Sequence, residues 1–369
     1  MLTRRHLLAA PALALQAQMP KFTVLNLATI SAQPQVFHGW PTLARRADGE
    51  LLVACSGGRE AHVCPFGRVE LIRSRDNGHT WTWPETLLDT AIDDRDAGLL
   101  VTPAGSVLVT TFTSLAFEKT IADAKNWPAE RKQRWESAQN RLSEAERQQM
   151  LGTWMLRSAD AGLTWSASYR VPLNSPHGPI AVSASRLLYP GVQLWEKARK
   201  VGVAESVDDG RTWRWLSDIP TRPGDDHANY HELHGVAAAD GTIIVHIRNH
   251  NAVNDRETLQ CESRDGGKTW TTPHAIGVWG LPSHLLRLRD GRLLMTYGYR
   301  RLPRGNHARL SADHGRTWSE AMVLSTDGGV DIGYPSTVEV ADGSLVSVWY
   351  ERPGEGPHAQ LRMARWQVG

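Results

Sequence analysis

Apolar and polar positions along the chain fall into short runs of strand length joined by tight polar turns. Residues 233–239 and 242–247 form one such pair, separated by Asp240-Gly241. Equivalent turns stand at Asp48-Gly49, Ala104-Gly105, Asp290-Gly291 and Asp342-Gly343, with a weaker one at Ala184-Ser185. Apolar, β-rich runs joined in this way predict antiparallel hairpins, so six hairpins are expected.

A second repeat runs between the hairpins. The octapeptide Ser-x-Asp-x-Gly-x-Thr-Trp occurs first as Ser74-Arg75-Asp76-Asn77-Gly78-His79-Thr80-Trp81, then at 158–165, 206–213, 263–270 and 311–318. The starts lie 84, 48, 57 and 48 residues apart, a spacing that matches four-stranded propeller blades. Each box reads as a β-turn: the Asp accepts backbone N–H groups, the Gly takes a positive φ, and the Ser and Thr hydroxyls close the loop. The Trp then packs beneath the hairpin. Six hairpins and five boxes predict an all-β chain, a six-bladed β-propeller spanning residues 22–369 whose last blade has no box. The strand-like stretch 22–27 is expected to complete that blade and close the ring, which hides the sheet edges. The 84-residue spacing is explained by residues 118–150, polar and rich in helix formers around Trp127-Pro128. They predict a helical insertion in blade two, either an outer decoration or a lid over the funnel.

Composition adds limits. With 41% apolar residues in 369, the chain has enough to bury a core. A formal net charge of +2 gives no support for a nucleic-acid partner. Residues 1–17 read as an export signal. Thr3-Arg4-Arg5-His6-Leu7-Leu8 precedes the apolar run 9–15 and small residues suited to cleavage near Ala14 or Ala17, a twin-arginine-like pattern. That run is far below the roughly 20 residues a membrane helix needs, so no membrane span is expected and the mature protein is placed in the periplasm or outside the cell. Three cysteines, Cys55, Cys64 and Cys261, exclude a disulfide framework by count, although a Cys55–Cys64 bridge is compatible with an oxidising compartment. No metal-ligand spacing and no cofactor motif occur; a monomer is expected.

The hairpin register locates a site. The innermost strands of a propeller converge on its axis. Counting eight residues back from each turn reaches Trp40, Asp96, Pro176, Glu232, Pro282 and Tyr334, with His177 and His284 one or two residues beyond. Inner strands ordinarily carry apolar side chains, so convergent Asp, Glu, Tyr and His from several blades mark a candidate pocket. His38 and His231 are also within reach of the funnel.

The blades, boxes and closing strand resemble the sialidase (neuraminidase) superfamily from about Phe22 onward. Gly333-Tyr334-Pro335-Ser336-Thr337, Asp342-Gly343 and Val348-Trp349-Tyr350-Glu351 are similar to that family's Tyr-Ser-Ser-Leu, Asp-Gly and Leu-Tyr-Glu pattern. There, a Glu eight residues before an Asp-Gly turn activates the Tyr, and a substrate-binding Arg lies eight residues after it. Glu232, Asp240-Gly241 and Arg248 reproduce both intervals. The resemblance implies an exo-acting glycoside hydrolase with a Tyr334–Glu232 nucleophile pair, acting on a terminal sialic-acid-like sugar of a glycan. A neutral Tyr avoids the repulsion that a carboxylate nucleophile would meet from the substrate's own carboxylate, and Arg248 would grip that carboxylate as a bidentate fork. Arg300 corresponds best to the family's third Arg, ahead of Arg301 and Arg304, and Arg59 to an Arg that touches the sugar ring.

Two family positions are changed. Gly39, in Phe37-His38-Gly39-Trp40-Pro41, stands where the first carboxylate-binding Arg is found. The stretch Arg59-Glu60-Ala61-His62-Val63-Cys64-Pro65 lacks the acid/base Asp. Arg95 is a candidate to replace the missing cation, and His62, Glu60 or Asp96 to transfer protons. Two other functions share the scaffold: a lyase in which Tyr334 or a His removes a proton beside a uronic-acid carboxylate, and a non-catalytic carbohydrate-binding propeller.

Overall fold

The computed structural model describes residues 20–31, 33–196, 198–326, 328–352 and 358–369, and no side chain for Asp255; the expected export signal at 1–17 lies outside them. Six four-stranded antiparallel sheets form the blades of a propeller. Their innermost strands are Phe37–Arg45, Asp93–Val101, Ile180–Ser183, Tyr230–Ala237, Ser283–Arg287 and Ile332–Glu339. Each turns back through one of the six predicted hairpins. Blade six is completed by the strand Phe22–Thr29, which pairs antiparallel with Gln360–Val368 from Phe22 opposite Val368 to Thr29 opposite Arg362. The first and last described strands thus share one sheet, and the ring is closed.

The boxes form the turns that the sequence predicts, between the third and fourth strands of blades one to five. In Ser206–Trp213 the Asp208 carboxylate accepts from Ser206 Oγ at 2.8 Å, Thr212 N at 2.9 Å and Thr212 Oγ1 at 2.6 Å, and Gly210 N donates to Ser206 Oγ at 2.9 Å. The residue before each box glycine is also left-handed, whether it is Asn77, Ala161, Asp209, Gly266 or His314. Two consecutive left-handed residues reverse the chain tightly enough to drop the Trp onto the neighbouring blade. Trp81 joins the core between blades six and one, Trp165 that between one and two, and Trp213 that between two and three. Trp270 and Trp318 join the two cores that follow. Each box therefore seals the seam with the blade before it. The seam between blades five and six has no box and is filled by the fully buried Trp349 and Trp366.

The insertion is helical, with α1 (Ala116–Ala122), α2 (Ala129–Gln139) and α3 (Glu144–Gln149). It packs Phe117, Ile121 and Trp135 against Cys64, Ile92, Val63 and Phe66, so it rests on the loop that follows the second strand of blade one. Cys55, Cys64 and Cys261 are free and buried. The Cys55–Cys64 bridge does not form because Cys55 faces the core between blades six and one whereas Cys64 lies under the insertion. Among the described residues no helix is long and apolar enough to cross a membrane.

Replacing Asp208 by Ala removes three hydrogen bonds from one box and leaves the pocket untouched. We expect a loss of about 1–3 kcal/mol in denaturant unfolding with unchanged ligand binding.

Candidate active site

Four of the six inner strands are regular toward their hairpins and broken near their starts. Register shifts fall at Gly39/Thr42, Arg95/Gly98, Tyr230/Leu233 and Gly333/Ser336. At three of these bulges the residue eight before the turn is left-handed: Trp40 at φ 53°, Asp96 at 46° and Tyr334 at 55°. Such a conformation costs about 1–3 kcal/mol at a non-glycine residue. Its recurrence at one register in three blades aims these side chains at one mouth of the axis, into a pocket of about 260 Å³.

At the centre, the Tyr334 hydroxyl donates to Glu232 Oε1. Arg248 Nη1 donates to Glu232 Oε2 at 2.5 Å and to the Tyr334 oxygen at 3.2 Å. Burial pushes the Tyr334 hydroxyl well above its ordinary value, and the adjacent Glu232 adds to this. Burial works against the Glu232 carboxylate too, but Arg248, the Tyr334 hydroxyl and Arg300 outweigh it and hold Glu232 below the usual range. The resting pair is therefore a neutral phenol hydrogen-bonded to a carboxylate. Arg248 Nε donates to His250 Nε2 at 2.9 Å, and His250 lies 4.1 Å from His231, ring to ring. Both imidazoles are held neutral, at about 4, by burial and by the nearby guanidinium groups of Arg199 and Arg248.

Around this centre stand two further arginines. Arg300 Nε donates to the Ile332 carbonyl at 2.8 Å, and its guanidinium lies 6.0 Å from the Tyr334 ring centre. Arg95 rests on the Trp40 ring at 4.6 Å, and its buried Nε has no hydrogen-bond partner among the described residues. Asp96 is lifted to about 7 by burial, with Arg95 drawing it back and Glu232 adding to the rise. At the rim, His62 Nδ1 donates to Asp331 Oδ2 at 2.8 Å, and Tyr350 Oη donates to Asp331 Oδ1 at 2.6 Å. Phe112 completes the wall.

The pocket thus gathers Trp40, His62, Arg95, Asp96, His231, Glu232, Arg248, Arg300 and Tyr334, and leaves out several residues expected there. Arg59 is fully buried behind it, holding Asp93 through a fork of 2.6 and 3.0 Å; its charge is already matched inside the protein. His177 and His284 point the other way along the axis. With His234 they line a second cavity, of about 550 Å³, walled by the inner strands of all six blades. There they pack ring against ring, His177 at 5.2 Å from His284 and 6.3 Å from Tyr334, so they form a floor under the pocket. His38 is withdrawn against Glu70, 3.4 Å away. Pro176 and Pro282 contribute no pocket wall. Glu60 is tied to the insertion by Arg131 and Arg134. Three residues of the site, Phe112, His250 and Asp331, escaped the sequence reading because none sits at the eight-residue register. Gly39 is closed to the family's Arg: a Cβ there would lie 2.9 Å from the Phe37 ring.

Boxes, closed ring and polar axial pocket define the class, a six-bladed propeller of the Asp-box type. Residues 132–347 match the BNR repeat-like domain family, and the chain belongs to it. No curated protein sequence matches the chain. Among solved structures, the chain is similar to a protein of unknown function from Dyadobacter fermentans DSM 18053, at 22% identity with a TM-score of 0.79, over 95% of this chain and 100% of that one. It is also similar to the NanB sialidase from Streptococcus pneumoniae (13% identity, TM-score 0.62, 94% and 70% covered). A third neighbour is the alpha-L-arabinanase of Penicillium chrysogenum (14%, 0.60, 92% and 98%). At these identities the likeness is one of fold.

An internal role for Arg59 has a measurable consequence. Arg59→Ala strands the buried Asp93 carboxylate and should cost about 3–5 kcal/mol of stability, read by thermal unfolding. A residue that served only to bind substrate would raise KM and leave the melting temperature in place.

Proposed function

We infer that the protein is an exo-acting glycoside hydrolase that removes a terminal acidic sugar from a glycan. The observation that carries this reading is the Tyr334–Glu232–Arg248 contact, a phenol whose proton already points at a carboxylate. A binding module has no use for that arrangement. Glu232 takes the phenol proton as Tyr334 Oη attacks the anomeric carbon, and Arg248 steadies both charges. The pocket holds three guanidinium groups, from Arg95, Arg248 and Arg300, against the Glu232 carboxylate and a half-titrated Asp96. That surplus of positive charge favours an anionic sugar, with Arg95 supplying from blade two the cation that Gly39 does not supply from blade one. The small volume supports terminal, one-ring recognition. The twin-arginine-like first residues support work outside the cytoplasm, where glycans are met.

Fluorogenic α-glycosides of sialic and uronic acids test the reading. Turnover of at least one is expected, with Tyr334→Phe and Glu232→Gln each losing about 1,000-fold or more in kcat while both variants remain folded by circular dichroism. Full activity in both variants would remove the nucleophile pair.

Asp96 gives the reading a pH signature. Its carboxyl is neutral below about 7 and ionised above, so raising the pH places a new negative charge in the pocket. Binding of an acidic sugar, followed by calorimetry, is expected to weaken roughly tenfold between pH 5.5 and 8.5, and Asp96→Asn should flatten that dependence.

A further inference from the structure

We propose that His62, oriented by Asp331, is the group that protonates the departing oxygen and later activates water; this rests on the glycosidase reading above. The loop bearing His62 begins at the end of the second strand of blade one, and Asp331 immediately precedes the inner strand of blade six. The two meet only across the closed seam. His62 Nδ1 donates to Asp331 Oδ2 at 2.8 Å, which leaves Nε2 as the ring nitrogen free to serve a substrate. Asp331 is itself fixed: Tyr350 Oη donates to its other oxygen at 2.6 Å, and Arg300 approaches the Tyr350 oxygen at 3.5 Å. A carboxylate that accepts the far N–H of an imidazole sets its tautomer and steadies the imidazolium.

The ring is also held edge-on to Trp40 at 4.9 Å and to Phe37 at 5.9 Å. Its loop is clamped from the other side by the helical insertion. Two residues before His62, Glu60 accepts from Arg134 Nη2 at 2.6 Å and from Trp135 Nε1 at 3.0 Å and pairs with the Arg131 guanidinium at 2.6 Å. One residue after it, Val63 packs on the cluster built by Phe117, Ile121 and Trp135. With His62 itself 46% exposed at the pocket rim, substrate can reach the ring without moving the loop. The insertion is thereby a buttress for this histidine.

The step balances within the site. In the first half, Tyr334 Oη bonds to the anomeric carbon while its proton passes to Glu232. The bond from that carbon to the leaving oxygen breaks, its electron pair stays on the oxygen, and the His62 imidazolium delivers the Nε2 proton there. In the second half, water attacks the same carbon, its proton returns to His62 Nε2, and Tyr334 departs and regains its proton from Glu232.

Leaving-group dependence isolates this role, because a poor leaving group needs the proton and a good one does not. With an acidic sugar that the wild type cleaves, His62→Gln should lower kcat/KM for the methyl glycoside by about 100- to 10,000-fold and for the 4-nitrophenyl glycoside less than tenfold. Asp331→Asn should skew the two substrates in the same direction, to a smaller extent, and imidazole in the buffer should restore part of the lost methyl-glycoside activity to His62→Ala. Equal losses on both substrates, or full activity of His62→Gln on both, would overturn the assignment and leave the Tyr334–Glu232 reading standing. A wild type that cleaves no acidic glycoside would remove that reading and this assignment together.

Discussion

Closure of the ring is the constraint on which the pocket depends. Tyr334 of blade six meets Glu232 of blade four, and His62 of blade one meets Asp331 at the start of blade six. Neither contact is made within a blade. Both need the inner strands held at fixed angles around the axis, and the ring is held by the pairing of Phe22–Thr29 with Gln360–Val368. Backbone hydrogen bonds at one edge of the molecule thus set distances between side chains at its centre. The box tryptophans add stiffness, since each fills a seam rather than a blade and rotation of one blade against the next would expose its ring.

Within that frame the charges sort into matched and unmatched sets. Arg59 and Asp93 neutralise each other out of water, a pair whose desolvation offsets much of its attraction. Arg248 and Glu232 are matched as well, but in the open pocket, where Arg248 also touches the Tyr334 oxygen. Among the described residues, Arg95 and Arg300 have no carboxylate within so short a reach; Arg95 sits 3.9 Å from an Asp93 that is already forked onto Arg59. Two guanidinium groups with spare capacity therefore stand beside a neutral phenol and a carboxyl that titrates near 7, which leaves the pocket with a surplus of positive charge.

Much of the scaffold was legible in the sequence, because a propeller writes its period into the chain. Boxes and hairpins gave blade number, the closing strand and the place of the insertion. The eight-residue register found Trp40, Asp96, Glu232 and Tyr334, since the bulges recur at the same depth. It failed for His177 and His284 because blades three and five lack the bulge at that depth, so nothing turns the chain there to aim these side chains into the pocket. Arg59 was misplaced because nothing in the sequence places Asp93 against it. Phe112, His250 and Asp331 lie outside the repeat, and only the folded ring brings Asp331 to His62. The box reading was sharpened too, since the Trp rings seal seams where a place beneath their own hairpins was expected.

The strand that completes blade six has an implication for how the molecule is made. Phe22–Thr29 leaves the ribosome well before Gln360–Val368, with five blades encoded between them. Pairing between such distant segments is slow and leaves an open edge in the meantime. During that interval blades one to five can assemble, the Trp of the second to fifth boxes each closing on the blade already made, while Trp81 waits for blade six and Phe22–Thr29 waits for its partner strand. Tyr334 and Glu232, carried by blades six and four, are therefore held at their contact distance only once Gln360–Val368 has closed the ring.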